Sequence, residues 1–96
     1  MRLRDRLPEL RDAIVSAAAA CGATDVRLFG SVARGEEQES SDVDFVVRLE
    51  PGRTLLDLLR LESVLERLLG RPVDVVTEGS LAEPVRTRAL REAIGV

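Results

Sequence analysis

The sequence predicts one α/β (α+β) domain, in which a small β-sheet of about three strands is flanked by about four helices. Helical and strand patterns alternate along the 96 residues, as in a sheet covered by helices. Glycine and proline separate most of these segments, which is typical of short turns. A chain of this length forms a single domain, so we treat residues 1–96 as one unit.

The first half of the chain contains two predicted helices and two predicted strands. An amphipathic helix ends near Gly22, and a strand covers Thr24 to Phe29. Ser31 to Gly35 forms a turn or a short helix, and the polar loop Glu36 to Ser40 follows it. The apolar, β-branched run from Asp42 to Leu49 predicts the second strand. The apolar stripe of the first helix consists of Leu3, Leu7, Leu10, Ile14 and Ala18.

The second half adds two helices and one strand. Thr54 followed by Asp57 is typical of a capping box at a helix start, and this helix ends at a glycine. Pro72 to Thr77 predicts the third strand, and Ser80 with Glu83 predicts the start of a last helix. Its apolar stripe consists of Leu81, Val85, Ala89 and Ala93. This order leaves the strand directions open, since an all-parallel sheet and a mixed sheet both fit it.

The composition excludes several kinds of chemistry. The chain has no histidine and one cysteine, Cys21, so a Ser-His-Asp triad, a Cys-His site and an imidazole-bound zinc site are all absent. A net charge of −3 and only two aromatic residues argue against direct nucleic-acid binding. No apolar run is long enough for a membrane span, and the N-terminus is charged where a secretion signal would be apolar. We therefore expect a cytoplasmic protein without a membrane segment.

Asp42 and Asp44 stand two residues apart in an apolar run. Side chains at positions i and i+2 of a strand project from the same face, so the two carboxylates point the same way, with Cα atoms roughly 6–7 Å apart. Like charges held side by side repel each other, and divalent cations relieve that repulsion. Two cations about 3.5–4 Å apart, bridged by carboxylates, are common in phosphoryl and nucleotidyl transfer.

Asp74 interrupts the apolar third strand, where a charge is costly unless it is paired or bound to metal. If this strand lies beside the second one, three carboxylates converge. Asp74 could then complete the metal site and accept a proton from an attacking hydroxyl, or orient it. In the simpler interpretation, Asp74 pairs with an arginine or lies on an edge strand, and the other two aspartates are a solvated strand end.

Gly30 and Ser31 directly follow the first strand. A glycine lets the backbone approach a phosphate closely, and the N–H groups at the start of the following helix favour anions. The Ser31 hydroxyl can donate to a phosphate oxygen, and Arg34 can neutralise charge on a triphosphate. The three residues together predict a nucleotide-binding turn, although a Gly-Ser pair on its own is usually only a turn.

Two blocks of sequence resemble the signature of the minimal nucleotidyltransferases of the DNA polymerase β superfamily. They are Phe-Gly-Ser-Val-Ala-Arg-Gly at residues 29–35 and Ser-Asp-Val-Asp-Phe at residues 41–45. The resemblance covers nearly the whole chain and implies the nucleotidyltransferase fold, a mixed sheet with flanking helices. It also implies two Mg²⁺ ions as cofactor and ATP as substrate. The implied metal ligands and catalytic residues are Asp42, Asp44 and Asp74, and the implied triphosphate contacts are Gly30 and Ser31.

The same resemblance implies a biological role. Small proteins similar to this one are often antitoxins, encoded beside a HEPN-domain toxin that cleaves RNA. The implied activity is transfer of AMP from ATP onto a tyrosine hydroxyl of that toxin, by a protein adenylyltransferase of a type VII-like toxin–antitoxin system.

Other interpretations stay open at the level of sequence. The domain could neutralise a toxin by direct binding without catalysis. It could also use a small molecule or an RNA 3′ end as acceptor, although such acceptors usually call for further domains. The third helix carries leucines on more than one face, which fits either a core with ordinary surface leucines or an interface in a homo- or hetero-oligomer. These leucines are Leu55, Leu56, Leu58, Leu59, Leu61, Leu65, Leu68 and Leu69.

Overall fold

A computed structural model of the protein describes residues 2–36, 38 and 41–96. Within them the helices are α1 (Leu3–Ala20), α2 (Gly30–Arg34), α3 (Leu55–Leu69) and α4 (Val85–Glu92), with a 3₁₀ turn at Glu78–Ser80. The strands are β1 (Ala23–Phe29), β2 (Val43–Leu49), β3 (Val73–Thr77) and β4 (Ile94–Gly95). Three residues of the predicted polar loop, Glu37, Glu39 and Ser40, lie outside the described part of the chain.

The four strands form one mixed sheet in the order β3-β2-β1-β4. β1 runs antiparallel to both of its neighbours, β2 and β4. β2 and β3 run parallel and are joined by the crossover helix α3. The mixed sheet is therefore confirmed, and the all-parallel alternative is wrong. The sequence does not predict β4, because two residues are too few to show an alternation of apolar and polar side chains.

Most of the core lies between one face of the sheet and the helices α1 and α3, which contact the sheet and each other. The fully buried side chains of this layer include Ile14, Leu28, Phe45, Leu61 and Leu65. Each such side chain contributes roughly 1.5–3 kcal/mol through its burial. The opposite face is more thinly covered: the 3₁₀ turn contacts β2, and α4 contacts β1 and α2.

The helix α3 begins and ends as the sequence predicts. The Thr54 hydroxyl accepts from the Leu56 N–H at 3.3 Å, and the Asp57 carboxylate accepts from the Thr54 N–H at 3.0 Å. This is the predicted capping box. At the other end Gly70 adopts a left-handed conformation with φ of 70°, which terminates the helix.

The last helix starts at Val85, so the predicted start at Ser80 is wrong. Pro84 disfavours a helical conformation at Glu83, and this ends any helix that would run through it. Ser80 instead belongs to the 3₁₀ turn, where its hydroxyl donates to the Thr77 carbonyl at 2.8 Å. Of the predicted stripe, Ala89 alone is buried.

Two glutamates of α3 cover the outer edge of the sheet. Glu62 accepts from the Val75 N–H at 2.8 Å, and Glu66 accepts from the Val73 N–H at 3.3 Å. Both N–H groups belong to β3, which is an edge strand. Unpaired edge groups invite pairing with another chain, so the two carboxylates also protect the edge.

No helix within the described ranges has both the length and the apolar character that crossing a membrane requires.

The Glu62 bond to the β3 backbone predicts a stability effect. Replacement of Glu62 by alanine removes the acceptor of the half-buried Val75 N–H bond, and we expect a loss of about 1–2 kcal/mol in the free energy of unfolding. Glu62→Gln keeps a carbonyl acceptor and should lose less, which makes it the matched control. Urea denaturation measures both. An equal loss for the two variants would show that the hydrogen bond is not the cause.

Candidate active site

Three strand ends meet at one edge of the sheet. β1 ends at Phe29, where the antiparallel β2 begins, and β3 begins beside β2 in the parallel direction. The register places Asp44 between Phe29 on β1 and Asp74 on β3. Residues that are paired across strands present their side chains on the same face, so the carboxylates of Asp44 and Asp74 are neighbours.

The third carboxylate, Asp42, lies one residue before β2 and is exposed. Asp74 is exposed as well, whereas Asp44 is half-buried. Burial raises the pKa of Asp44 above its ordinary value, and the negative charges of Asp74 and Asp42 raise it further, while Arg34 lowers it. The structure therefore brings the three predicted acids close enough to affect one of them electrostatically.

The donor chemistry at this edge fits Mg²⁺, which prefers carboxylate oxygens. Among the described residues, however, no three acidic or thiol groups converge into a complete site for an ion. This agrees with the usual way that Mg²⁺ binds at nucleotide sites, through one or two carboxylates together with substrate phosphates, rather than in an all-protein cage. The Asp42, Asp44 and Asp74 set could supply the protein share of such a site.

Gly30 lies directly against Asp44. Its φ is +76°, a conformation that side-chain-bearing residues rarely adopt. A Cβ at this position would also lie 2.5 Å from Asp44 Oδ2, which is far inside van der Waals contact. Only glycine meets both conditions, so the backbone at the start of α2 lies closer to Asp44 than any residue with a side chain would allow.

Gly30 is the first residue of the short helix α2, which is closed by Gly35 in a left-handed conformation. The first N–H groups of a helix have no partner inside it, and they favour anions. Ser31 is half-buried in this first turn. The predicted phosphate contacts therefore lie next to the predicted metal ligands, on the same edge of the sheet.

Arg34 is held by two carboxylates. Its Nε donates to Glu36 at 3.0 Å, and its Nη1 donates to Glu92 at 3.0 Å. Hydrogen bonds to Glu36 and Glu92 raise the pKa of Arg34. A triphosphate would have to use the remaining N–H groups of Nη1 and Nη2 or displace one of the glutamates.

Glu92 is a residue that the sequence pattern does not single out, because it lies 58 positions from Arg34. Its contact ties the end of α4 to α2. Glu92 also lines a shallow cavity of about 410 Å³, together with four other α4-side residues: Pro84, Thr87, Arg88 and Arg91. The end of α4 thus adjoins the candidate nucleotide turn through Arg34.

The chain and its fold match known proteins. The nucleotidyltransferase domain model matches residues 7–95. A protein adenylyltransferase of Thermococcus cleftensis, MntA, is 43% identical over 75 residues, which are 78% of this chain and 76% of that protein.

Solved structures give the same result. One that is provisionally described as a minimal nucleotidyltransferase is 52% identical, with a TM-score of 0.85 and coverage of 97% of this chain and 95% of that one. A crystal structure of a toxin–antitoxin with AMP-PNP is 22% identical, with a TM-score of 0.67 and coverage of 96% and 70%. At that identity the likeness is one of fold.

The crowding of carboxylates predicts opposite effects of one substitution on stability and on ligand binding. Asp44→Asn removes a half-buried charge whose pKa is raised, so without divalent ions we expect a higher Tm than that of the unaltered protein. Addition of Mg²⁺ and an ATP analogue should raise the Tm of the unaltered protein but not that of the variant. At a ligand concentration one hundred times Kd, the corresponding gain in the free energy of unfolding is about 2.7 kcal/mol.

The control for this experiment is Asp12→Asn, which makes the same chemical change at an exposed aspartate of α1. It should leave the ligand-dependent rise intact. The measurement is the Tm of all three proteins, obtained by thermal denaturation with and without Mg²⁺ and the ATP analogue. A fall in Tm for Asp44→Asn without ions would show that its charge is not repelled.

Proposed function

The chain belongs to the nucleotidyltransferase domain family, and on that premise we propose that it is a Mg²⁺-dependent protein adenylyltransferase, which transfers AMP from ATP to a hydroxyl of a partner protein. The observation that carries this proposal is the register that sets Asp44 beside Asp74, with Gly30 close against Asp44. The Thermococcus relative, which is named a protein adenylyltransferase, supports a protein as the acceptor.

The proposed partner is a HEPN-domain ribonuclease toxin, and the proposed acceptor is one of its tyrosine hydroxyls. This protein would then be the antitoxin of the pair. The resemblance to antitoxins of this kind supports the assignment. The fold shared with a toxin–antitoxin that contains AMP-PNP is compatible with it.

When bound, two Mg²⁺ ions held by Asp42, Asp44 and Asp74 supply positive charge at the α-phosphate and at the leaving pyrophosphate. The backbone N–H groups at Gly30 and Ser31 donate to the triphosphate, as does the Ser31 hydroxyl. These contacts fix the nucleotide against the acidic edge of the sheet, so that its α-phosphorus lies within reach of an acceptor.

Asp74 is exposed on the edge strand β3, so an incoming acceptor can reach its carboxylate. It accepts the proton of the acceptor hydroxyl. The acceptor oxygen forms a bond to the α-phosphorus as the bond from that phosphorus to the bridging oxygen of the β-phosphate breaks. AMP is then esterified to the acceptor, pyrophosphate leaves, and Asp74 returns the proton to solvent.

A non-catalytic antitoxin is the second candidate. It would bind the toxin through a group of exposed leucines at the start of α3, in which Leu55 is 69% exposed, Leu56 56% and Leu59 51%. Exposed apolar patches of this kind are common at protein interfaces. Such a surface would serve a binding antitoxin and an enzymatic one equally, so activity must separate the two.

The transfer assay makes that separation. α-³²P-labelled ATP, Mg²⁺ and this protein should label the product of the neighbouring reading frame. Asp42→Asn should reduce labelling at least about 100-fold, because it removes a proposed metal ligand. Asp12→Asn should label at the unaltered rate. Mass spectrometry should place the AMP on a tyrosine.

Two outcomes would contradict the proposal. If the partner copurifies with this protein but acquires no label, the binding antitoxin takes first place. If Asp42→Asn labels the partner at the unaltered rate, the assignment of the metal ligands is wrong.

A further inference from the structure

Arg71 lies between α3 and β3 and contacts the loop that precedes β2. Its Nη2 donates to the Ser41 carbonyl at 2.8 Å and to the Gln38 carbonyl at 2.9 Å, and its Nε donates to the Ser41 carbonyl at 3.2 Å. A planar guanidinium that donates to two carbonyls fixes their relative position as well as their distance. The contact with Ser41 spans 30 residues of sequence.

Gln38 and Ser41 are also hydrogen-bonded to each other. The Ser41 hydroxyl accepts from the Gln38 N–H at 2.8 Å, and the Ser41 N–H donates to the Gln38 carbonyl at 3.0 Å. Arg71 therefore donates to the carbonyls of two residues that are hydrogen-bonded to each other. The second of them, Ser41, immediately precedes the candidate metal ligand Asp42.

The two peptide groups that flank Asp42 are both anchored to the same short segment. The carbonyl of the preceding peptide, at Ser41, accepts from Arg71. The N–H of the following peptide, at Val43, donates to the Pro72 carbonyl at 2.9 Å. Because each peptide group is planar, holding both groups fixes the two backbone dihedrals of Asp42.

Asp42 needs such anchoring more than its two partners do. Asp44 and Asp74 lie within paired strands, whereas Asp42 lies outside β2. Repulsion from the other two carboxylates would move a loosely held Asp42 outward. The segment that holds it leads directly into β3, so the same few residues fix Asp42 and carry Asp74.

We propose that Arg71 is a positioning residue for the metal-dependent reaction, which fixes the Asp42 backbone by its fork onto the Ser41 and Gln38 carbonyls and so sets the affinity for the divalent ion. This rests on the proposed function, because it takes Asp42 as a metal ligand. Arg71 itself contacts neither metal nor substrate in this role. Partners that orient a metal ligand typically change metal affinity about 10- to 100-fold when they are lost.

The test is Mn²⁺ binding in the presence of a non-hydrolysable ATP analogue, measured as free Mn²⁺ by electron paramagnetic resonance, without turnover. We expect Arg71→Gln to weaken Mn²⁺ binding about 10- to 100-fold. Arg71→Lys keeps the charge but loses the planar fork, so its Mn²⁺ affinity should lie between that of the unaltered protein and that of Arg71→Gln. Arg67→Gln is the matched control and should bind Mn²⁺ as the unaltered protein does, because Arg67 is exposed and, among the described residues, donates within its own helix, to Ser63 at 3.5 Å.

The outcomes separate this proposal from the proposed function. If the unaltered protein binds Mn²⁺ and both Arg71 variants bind it equally well, the positioning role is wrong and the proposed function stands. If the unaltered protein binds no Mn²⁺ beyond that bound by Asp42→Asn, both proposals fail. If Arg71→Gln and Arg67→Gln weaken Mn²⁺ binding by the same factor, the loss reflects a general effect of removing positive charge, and the positioning role of Arg71 is wrong.

Discussion

The parallel pairing of β2 with β3 is the constraint on which the rest of the site depends. Its register sets Asp44 directly beside Asp74. Parallel strands need a crossover, and α3 provides it while covering one face of the sheet. The apolar residues of β2 and β3 fix this register by packing under α1 and α3, since a slip by one residue would turn the buried side chains to the other face. Core packing therefore brings together two carboxylates that would otherwise separate.

The backbone of Gly30 and the helix α2 form the other side of the site at this edge of the sheet. Gly30 approaches Asp44 so closely that a side chain at that position would collide with the carboxylate. Beyond it, α2 is tied to the end of α4 through the Arg34 and Glu92 contact. The acidic edge is thereby linked to both faces of the sheet, although α4 is remote in sequence. A nucleotide that binds Arg34 would therefore also affect the contact between Arg34 and Glu92.

The sequence predicts the parts of the fold that are encoded locally. Periodicity finds α1, α3 and the three longer strands, and the Thr54 capping box and its closing glycine are local signals that the structure confirms. The aspartates stand out because charges interrupt apolar strands. Residue spacing cannot give the strand directions, the two-residue β4 or the contact of Arg34 with Glu92, because these depend on pairing between distant segments. The capping pattern at Ser80 misplaces the start of α4, because the restriction that Pro84 imposes on the preceding residue outweighs it.

On the proposed function, the acidic edge of the sheet holds the divalent ions of a nucleotidyl transfer. A crystal structure with Mn²⁺ and a non-hydrolysable ATP analogue, measured at the manganese absorption edge, would show where these ions bind. We expect anomalous peaks between the triphosphate and the carboxylates of Asp42, Asp44 and Asp74, with the phosphates against Gly30 and Ser31. Bound nucleotide without a manganese peak at these aspartates, or with its phosphates elsewhere on the surface, would contradict this expectation.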